Sequence, residues 1–377
     1  MRTLFKEKGG SHMHSYGINL LLYIAVVFTG FLGAYLEIFK KKRNVFHLLL
    51  FFILFYFAAT SRIDHTYDYS DFEHYIDYFL SDNDAYFEPG YVFITSLIKE
   101  NLGYIPLYYV SFFFLLIAMG TIIIERLLHV QYCQLYGINS KSFNYLFTFL
   151  CIYCVYTGMS ACCESPRPGL ASTIMIISVT LALGRKWLPS LIILFLSATI
   201  HTQTLIILPG FLLLYFIDTI SLKILKLWFV ILVVLGLLVG GFKIFDFSVL
   251  NYLINVLDGY SDASHYEAYL TASEESFLST QWITKHVIAL LLLFGNQTNK
   301  LYNRATVLYY LGLTIGAIMS ASSIFLRFEG VYRSSYLLAF YLFLRDNSFK
   351  KSQRLLFLMI FLPYYGIMLL RWLGTYI

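Results

Sequence analysis

Long apolar runs follow one another along this chain, and they constrain its fold more than any other feature. They lie at positions 18–36, 45–60, 104–124, 143–159, 168–184, 187–200, 203–217, 227–241, 282–295, 305–325, 331–344 and 355–373. A helix of about 20 apolar residues spans a bilayer, and only helices and closed barrels satisfy all their backbone hydrogen bonds there. The sequence therefore predicts an all-α fold, a polytopic transmembrane helical bundle with about 12 spans, in a range of about 10 to 14.

The composition excludes a large catalytic domain in water. Only 13% of the 377 residues are charged, whereas a soluble domain carries about 25%, and the mean hydropathy is +0.68. The two longest polar stretches, 61–103 and 242–281, are near the size of about 40 residues below which domains seldom fold alone. We expect a single integral membrane domain over 14–377, with these stretches as outer loops, after a tag or disordered segment over 1–13.

Basic residues are distributed unevenly between alternate loops, which predicts an orientation. With the N-terminus outside, one side of the membrane receives 16 of the 27 basic residues but only 4 of the 22 acidic ones. These basic residues are Lys40 to Arg43, Arg126, Lys141, Arg185, Lys186, Lys223, Lys226, Lys300, Arg304, Arg345, Lys350, Lys351 and Arg354. Such a bias marks the cytoplasmic face. Both termini are then predicted to lie outside, and residues 90–101 to form an amphipathic helix at the outer surface.

The first outer loop mixes carboxylates with tyrosines. Carboxylates accept hydrogen bonds from sugar hydroxyls, and aromatic rings stack on the apolar face of a sugar ring, so this composition favours a carbohydrate-binding surface. The alternative is a solvated acidic loop with a Pro-Gly turn that leads into a helix. The loop residues in question are Arg62, Asp64, Asp68, Tyr69, Asp71, Tyr75 and Glu88.

Three arginines lie at the predicted outer ends of spans. Arg167 opens an apolar run, with Pro168 placed to be the first residue of a helix, and Arg327 and Arg333 flank a short segment that contains Tyr332. Arginine near hydrocarbon is costly unless it is paired, and its planar fork suits phosphate oxygens. A diphosphate at the membrane surface is the predicted ligand. The alternative is that each side chain extends to lipid headgroups.

His201 lies between two short apolar runs and has hydroxyl residues on both sides. A break between helices exposes backbone polar groups, which is tolerated where protein or a water-filled cavity receives them. An imidazole exchanges protons near neutral pH, so His201 is a candidate general base. The alternatives are a packing histidine, or a base among the carboxylates of the first outer loop.

Several other chemistries are excluded by the sequence itself. It contains no phosphate-binding Gly-rich loop that ends in Lys-Ser/Thr, no His-Glu-x-x-His, no Gly-x-Ser-x-Gly and no basic cluster with interleaved aromatics. Five cysteines, an odd number, give no disulfide framework. We expect no cofactor, no metal and no nucleic acid partner.

At these residues the sequence resembles the EpsG family of Wzy-like polysaccharide polymerases. In the first outer loop the family pattern is matched by Arg62, Asp68-Tyr69, Tyr75 and Glu88-Pro89-Gly90-Tyr91. Further along, it is matched by Arg167-Pro168-Gly169-Leu170-Ala171, by His201 and by Arg327, Phe328 and Tyr332. The matches extend from about residue 60 to residue 345.

The resemblance implies a glycosyltransferase of the bacterial inner membrane that polymerises oligosaccharide units carried on undecaprenyl diphosphate, without a metal. A GT-C-like architecture is compatible with it, and the implied partners are membrane lipids, a chain-length regulator and a flippase. We predict catalytic roles for His201, Arg167, Arg327 and Asp68. The predicted substrate-binding residues are Arg62, Asp64, Tyr69, Asp71, Tyr75, Glu88, Arg333 and Tyr332. The product, whether O-antigen, capsule or exopolysaccharide, stays open.

Three alternative functions remain at this point. A flippase or transporter of lipid-linked oligosaccharides would also use arginines and aromatics, although transporters more often place charges within spans. A membrane ligase and a sugar acyltransferase are the other two.

Overall fold

All regular secondary structure in the described part of the chain is helical. The computed structural model describes residues 12–40, 44–61, 63, 70–81, 87–139, 145–153, 158, 161–162, 165–241, 280–318, 328–332, 334–345 and 349–359. This confirms the all-α prediction. The number of about 12 spans and the GT-C-like architecture stay predictions, and the loop residues 242–279 lie outside the described part.

The α-helices are numbered in chain order. They are α1 (His12–Tyr35), α2 (Val45–Thr60), α3 (Ser70–Leu80), α4 (Pro89–Leu102), α5 (Pro106–Tyr136), α6 (Leu146–Tyr153), α7 (Pro166–Leu183), α8 (Trp187–Ile200), α9 (Leu208–Phe216), α10 (Leu222–Leu235), α11 (Thr280–Leu292), α12 (Lys300–Ile318), α13 (Ser335–Arg345) and α14 (Lys351–Met359). Two π-helical turns, Leu36–Lys40 and Gly236–Gly241, extend α1 and α10, and a 3-10 helix, Thr202–Ile207, precedes α9. Residues 328–332 are also helical.

Several predicted apolar runs coincide with helices. Three helices of the described part are long and apolar enough to cross a membrane, Leu21–Lys40, Pro106–Tyr136 and Pro166–Leu183. Shorter apolar helices at Val45–Thr60, Trp187–Ile200, Thr202–Phe216 and Trp282–Leu292 match predicted runs. The predicted helix over 90–101 is present as α4. Because α7 begins at Pro166, the prediction that Pro168 is its first residue was wrong by two positions.

The chain packs into two compact units. Unit 1 comprises Met1–Ile177, Phe195–Thr202 and Phe349–Ile377, and unit 2 comprises Ser178–Leu194 and Gln203–Ser348. Helices α7 and α8 therefore contribute residues to both units. The prediction of one membrane domain over 14–377 stays a prediction.

In unit 1, α1 packs against α2 and α6, and α5 packs against α2, α3, α4 and α6. The π-helical turn after α1 carries Glu37, a fully buried carboxylate. Its Oε2 accepts hydrogen bonds from the Thr148 backbone N–H at 2.9 Å and from the Thr148 hydroxyl at 3.2 Å. Thr148 lies in the first turn of α6, where backbone N–H groups have no acceptor within the helix. Glu37 thus supplies an acceptor for the start of α6 from another helix.

In unit 2, α12 packs against α9, α10, α11 and α13, and most of its residues are buried. The side chain of Asn299 accepts hydrogen bonds from the backbone N–H groups of Leu301 at 3.1 Å and Tyr302 at 3.2 Å. This is the usual way in which a short polar side chain begins a helix. Further along the first turn, the Asn303 amide both accepts from the Ile220 N–H and donates to the Ile220 carbonyl, each at 2.8 Å.

Arg304 joins three chain connections at one end of unit 2. Its Nε donates to the Asp218 carbonyl at 3.2 Å, its Nη1 to the Leu183 carbonyl at the end of α7, and its Nη2 to the Asp218 carboxylate. Arg185 and Lys300 pair with the same carboxylate at 2.9 and 2.8 Å. Hydrogen bonds from Lys300 and Arg304 hold the pKa of Asp218 well below its usual range. The connections that carry Arg185, Asp218 and Lys300 are all predicted to lie on the cytoplasmic side of the membrane.

We predict that Arg304 and Lys300 contribute unequally to stability. Arg304 is 7% exposed at its side chain and Lys300 is 51% exposed. Replacing Arg304 by Met removes three charge-assisted hydrogen bonds from a buried position, which should lower the apparent free energy of unfolding by about 2 to 3 kcal/mol. Lys300→Met removes an exposed pair and should cost less than about 1 kcal/mol. Unfolding in detergent micelles measures both, and equal losses would contradict the assignment.

Candidate active site

Glu88 is the centre of a polar cluster in unit 1. Its Oε2 accepts a hydrogen bond from Nη2 of Arg167 in an ion pair. Its Oε1 accepts from the backbone N–H of Thr202 at 3.0 Å and lies 3.3 Å from the Thr202 hydroxyl and from Nδ1 of His201. A single carboxylate therefore contacts two of the predicted catalytic residues and the chain segment that follows one of them.

Local sequence explains why Glu88 is held at the start of α4. Glu88 has extended backbone angles, φ −64° and ψ 148°, and Pro89 is the first helical residue, where its missing N–H costs nothing. The next residue, Gly90, lies against the last turn of α8. A Cβ at position 90 would lie 2.8 Å from the carbonyl oxygen of Thr199, closer than real Cβ contacts. The Pro-Gly pair thus begins a helix and also allows two helix ends to touch.

Arg167 lies in the first turn of α7, directly after Pro166. Gly169, two residues on, approaches the backbone of Ala161 so closely that a Cβ there would lie 2.5 Å from the Ala161 carbonyl oxygen. The guanidinium carbon is 4.8 Å from the ring centre of Phe87, a cation–π distance. Nε donates to the Ile200 carbonyl at 3.2 Å. In the part of the chain that the structure describes, Nη1 has no hydrogen-bond partner.

His201 occupies the break between α8, which ends at Ile200, and the 3-10 helix, which begins at Thr202. This confirms the predicted interruption. The backbone N–H of His201 still donates to the backbone carbonyl of Ser197 at 3.0 Å, as in a helix. The Ser197 hydroxyl donates to the Ala171 carbonyl of α7 at 2.7 Å. The end of α8 is therefore tied to the start of α7, and this contact brings His201 to Arg167, whose Nη2 is 3.2 Å from Nδ1.

The cluster is largely buried but reaches the surface. The exposed fraction of the side chain is 13% for Glu88 and for Arg167, and 20% for His201. Burial alone would raise the pKa of Glu88. Hydrogen bonds with His201 and with the Thr202 amide, together with the charge of Arg167, outweigh burial and lower this pKa to about 2. Glu88 is therefore a carboxylate at every physiological pH and acts as an acceptor only.

The remaining predicted site residues fall into three groups. Tyr75 is buried, and its ring centre lies 5.9 Å from Phe87 and 6.0 Å from Tyr91, so it supports the ring that faces Arg167. Tyr332, in unit 2, is also buried; its hydroxyl donates to the Ile206 carbonyl at 2.7 Å and accepts from the Gly210 N–H at 3.1 Å. Outside the described residues lie Arg62, Asp64, Asp68, Tyr69, Arg327, Arg333 and the side chain of Asp71.

Two members of the cluster were missed by sequence reasoning. Phe87 supplies the ring under Arg167, and Thr202 supplies the amide for Glu88. The hydroxyl residues around His201 pointed to a polar environment, but nothing local identified the carboxylate that completes it. Among the described residues, no group of three or more His, Cys, Asp or Glu side chains is placed to hold a metal ion.

We predict that Gly90→Ala disrupts the cluster through backbone contact alone. The added Cβ meets the Thr199 backbone, so α4 must shift away from α8, which should cost about 1 to 3 kcal/mol. Gly330→Ala is the matched control, because a Cβ there meets nothing within 4 Å and alanine favours a helix by about 0.5 to 1 kcal/mol. Thermal unfolding measures both, and an unchanged midpoint for Gly90→Ala would contradict the close approach.

The lowered pKa of Glu88 predicts a pH dependence of stability. The folded value of about 2 is below the ordinary 4.5, so the carboxylate stabilises the fold above about pH 4.5, and this contribution is lost as the pH falls through about 2. The difference in unfolding midpoint between the wild type and Glu88→Gln should stay constant from about pH 7 to 5 and narrow below that. A difference that already closes between about pH 7 and 5 would argue against an ionised Glu88 in the ion pair.

The match to a family model includes Glu88, Arg167 and His201. The model of the EpsG family matches residues 44–377. Among curated proteins and among solved structures, no match to the chain reaches significance. The family match spans far more than half of the sequence, and with the apolar helices it agrees with a multi-pass membrane protein. The chain therefore belongs to the EpsG family, a family of Wzy-like polysaccharide polymerases.

Proposed function

We propose that this protein joins oligosaccharide repeat units, each carried on undecaprenyl diphosphate, into a surface polysaccharide at the outer face of the bacterial inner membrane. The observation that carries the proposal is the contact of Arg167, Glu88 and His201 in one cluster. It combines a cation for a departing diphosphate with an imidazole for an attacking hydroxyl. Transfer of a sugar from a lipid diphosphate to another sugar needs a counter-charge for the leaving group and a base for the attacking hydroxyl.

Arg167 is proposed to bind the diphosphate of the donor. Its Nε and Nη2 are used within the protein, whereas both N–H groups of Nη1 have no partner among the described residues. The guanidinium carbon lies 4.8 Å from the ring centre of Phe87, and Nε donates to the Ile200 carbonyl, so two contacts within the protein position the group. Such an oriented cationic donor stabilises the charge that develops as the diphosphate leaves, and losing one such donor typically costs 10²- to 10³-fold in rate.

His201 is proposed to act as the general base. The acceptor hydroxyl oxygen attacks the anomeric carbon of the donor sugar and gives its proton to the imidazole, and the bond from that carbon to the diphosphate oxygen breaks. A proton on Nδ1 that faces Glu88 leaves the lone pair on Nε2, the arrangement in which a carboxylate orients a catalytic histidine. Glu88 is then a positioning residue, and its sequence-based role as a substrate ligand is given up in this proposal.

The predicted residues outside the described part keep their proposed roles. Arg327, Arg333 and Arg62 are proposed as further ligands of the diphosphate, and Asp68 as an alternative base or as a ligand of the acceptor sugar. Asp64, Tyr69 and Asp71 are proposed to bind the substrate, whereas this role is given up for Tyr75 and Tyr332, because both side chains are buried. The outer location is supported by the positive-inside distribution of charges and by the common predicted side of the segments that carry Glu88, Arg167 and His201. Guanidinium groups take the place of a metal in this mechanism.

We predict that His201→Gln and Arg167→Gln each abolish chain elongation. A lost base costs about 10²- to 10⁴-fold, so in a strain without the wild-type copy the surface glycan should consist of single repeat units. Gel analysis of chain length measures this, and immunoblotting of membranes confirms abundance. His74→Gln and Arg185→Gln are matched controls on exposed residues and should give long chains.

The same experiment separates the alternative functions. A flippase mutant would display no repeat unit at the surface, a ligase mutant would accumulate long chains on the lipid carrier, and an acyltransferase mutant would keep normal chain length. Long chains from both His201→Gln and Arg167→Gln, at normal protein abundance, would refute the catalytic roles proposed for these residues.

A further inference from the structure

Three cations share a single carboxylate in unit 2. The Asp218 carboxylate pairs with Arg185 at 2.9 Å, with Lys300 at 2.8 Å and with Arg304. Among the described residues, no other carboxylate pairs with any of these cations, so three positive charges and one negative charge leave an excess of two. Because Arg304 is buried, Arg185 and Lys300 present this excess at the surface, where their side chains are 43% and 51% exposed.

Arg185 adopts a backbone conformation that favours glycine. Its φ is 59°, and it is the one non-glycine residue with positive φ in the described part of the chain. The turn ends α7 with two hydrogen bonds, from the Arg185 N–H to the Ala182 carbonyl at 2.9 Å and from the Lys186 N–H to the Leu181 carbonyl at 3.0 Å. Glycine usually occupies this position in such a turn, because it has no Cβ. Strained residues of this kind cluster at functional sites, so we expect the arginine side chain to serve a purpose that glycine would not.

An exposed apolar patch adjoins these cations. Tyr215 and Phe216, which shortly precede Asp218, are 57% and 79% exposed. Trp187, two residues after Arg185, joins the two chain segments, since its ring centre lies 5.6 Å from that of Tyr215. Large exposed apolar patches are uncommon on surfaces that contact water, whereas Trp and Tyr are enriched where a membrane meets water. The patch therefore suits the boundary between lipid headgroups and acyl chains.

We propose that this surface, made by Arg185, Lys300, Trp187, Tyr215 and Phe216, binds an anionic phospholipid. The excess of two positive charges matches the two phosphodiester groups of a cardiolipin headgroup, and the exposed rings accept the acyl chains beside it. Basic pockets between helices on the cytoplasmic side bind such headgroups, and the segments that carry Arg185 and Lys300 are predicted to lie on that side. A zwitterionic lipid brings no net charge and a bare phosphate ion brings no apolar surface, so neither satisfies both halves of the site.

Equilibrium binding of radiolabelled cardiolipin to the full chain in detergent micelles tests the proposal. We expect cardiolipin to bind more tightly than phosphatidylcholine. A cation near the membrane surface typically contributes about fivefold to the binding of anionic lipid, so Arg185→Gly and Lys300→Gln should each weaken cardiolipin binding by about this factor. Lys350→Gln, which removes an exposed lysine of unit 1, should bind like the wild type. The readout is binding and not chain length, because this lipid takes no part in the proposed glycosyl transfer.

Arg185→Gly also separates binding from folding. Glycine adopts a positive φ without strain, so the unfolding midpoint should not fall although the affinity for cardiolipin does. If the midpoint does fall, Lys300→Gln decides, because it leaves this turn unchanged. Equal cardiolipin affinity in the wild type and in the double variant Arg185→Gly/Lys300→Gln would overturn the proposal. Displacement of the lipid by inorganic phosphate at constant ionic strength would also overturn it, since a bare anion makes no use of the exposed rings.

Discussion

The site depends on one constraint, which is that the backbone polar groups at the ends of an interrupted helix must find hydrogen-bond partners. Where α8 stops at Ile200 and the 3-10 helix begins at Thr202, a carbonyl and an N–H group lose their partners along the chain, and in an apolar environment each must find another. Arg167 donates to the Ile200 carbonyl, Glu88 accepts from the Thr202 amide, and the two side chains pair with each other. The cation lies at the negative end of one helical dipole and the anion at the positive end of the next. The ion pair thus stabilises the break that carries His201.

Close contacts between helix backbones then fix the distances between the side chains of the cluster. Gly90 allows α4 to reach the last turn of α8, and Gly169 allows α7 to reach Ala161, since a Cβ at either position would meet backbone atoms. One alternative interpretation of the sequence made Pro89-Gly90 a turn that leads into a helix. In the folded chain the proline begins a helix and the glycine makes room for a neighbour. A cluster held by backbone contacts is less free to relax than one held by flexible side chains. A site that positions reacting groups requires such rigidity.

The individual elements of the site were predictable, but their contacts were not. Helical runs, the interruption at His201 and the helix start near Arg167 follow from local periodicity and from proline, because these signals act within a few residues. The partners of Glu88 lie 79 and 113 residues away along the chain, and no local pattern encodes such a pairing. Glu88 was therefore assigned to the substrate, where an exposed loop carboxylate would act. Because Glu88 is buried against Arg167 and Thr202, it is placed to orient the imidazole of His201 instead of binding the substrate.

Charge balance indicates that the described cluster would form only one part of the proposed donor site. With Glu88 ionised, the positive charge of Arg167 is already compensated within the ion pair. A diphosphate ester brings at least two negative charges, and transferring them to a surface of low dielectric requires further cations or hydrogen-bond donors. In the proposed function, Nη1 of Arg167 donates to the diphosphate while Nη2 stays paired with Glu88, so the cluster offers hydrogen bonds but no uncompensated positive charge. In the proposed function, the charge of the diphosphate therefore falls to the further arginines that the sequence predicts on the same side of the membrane.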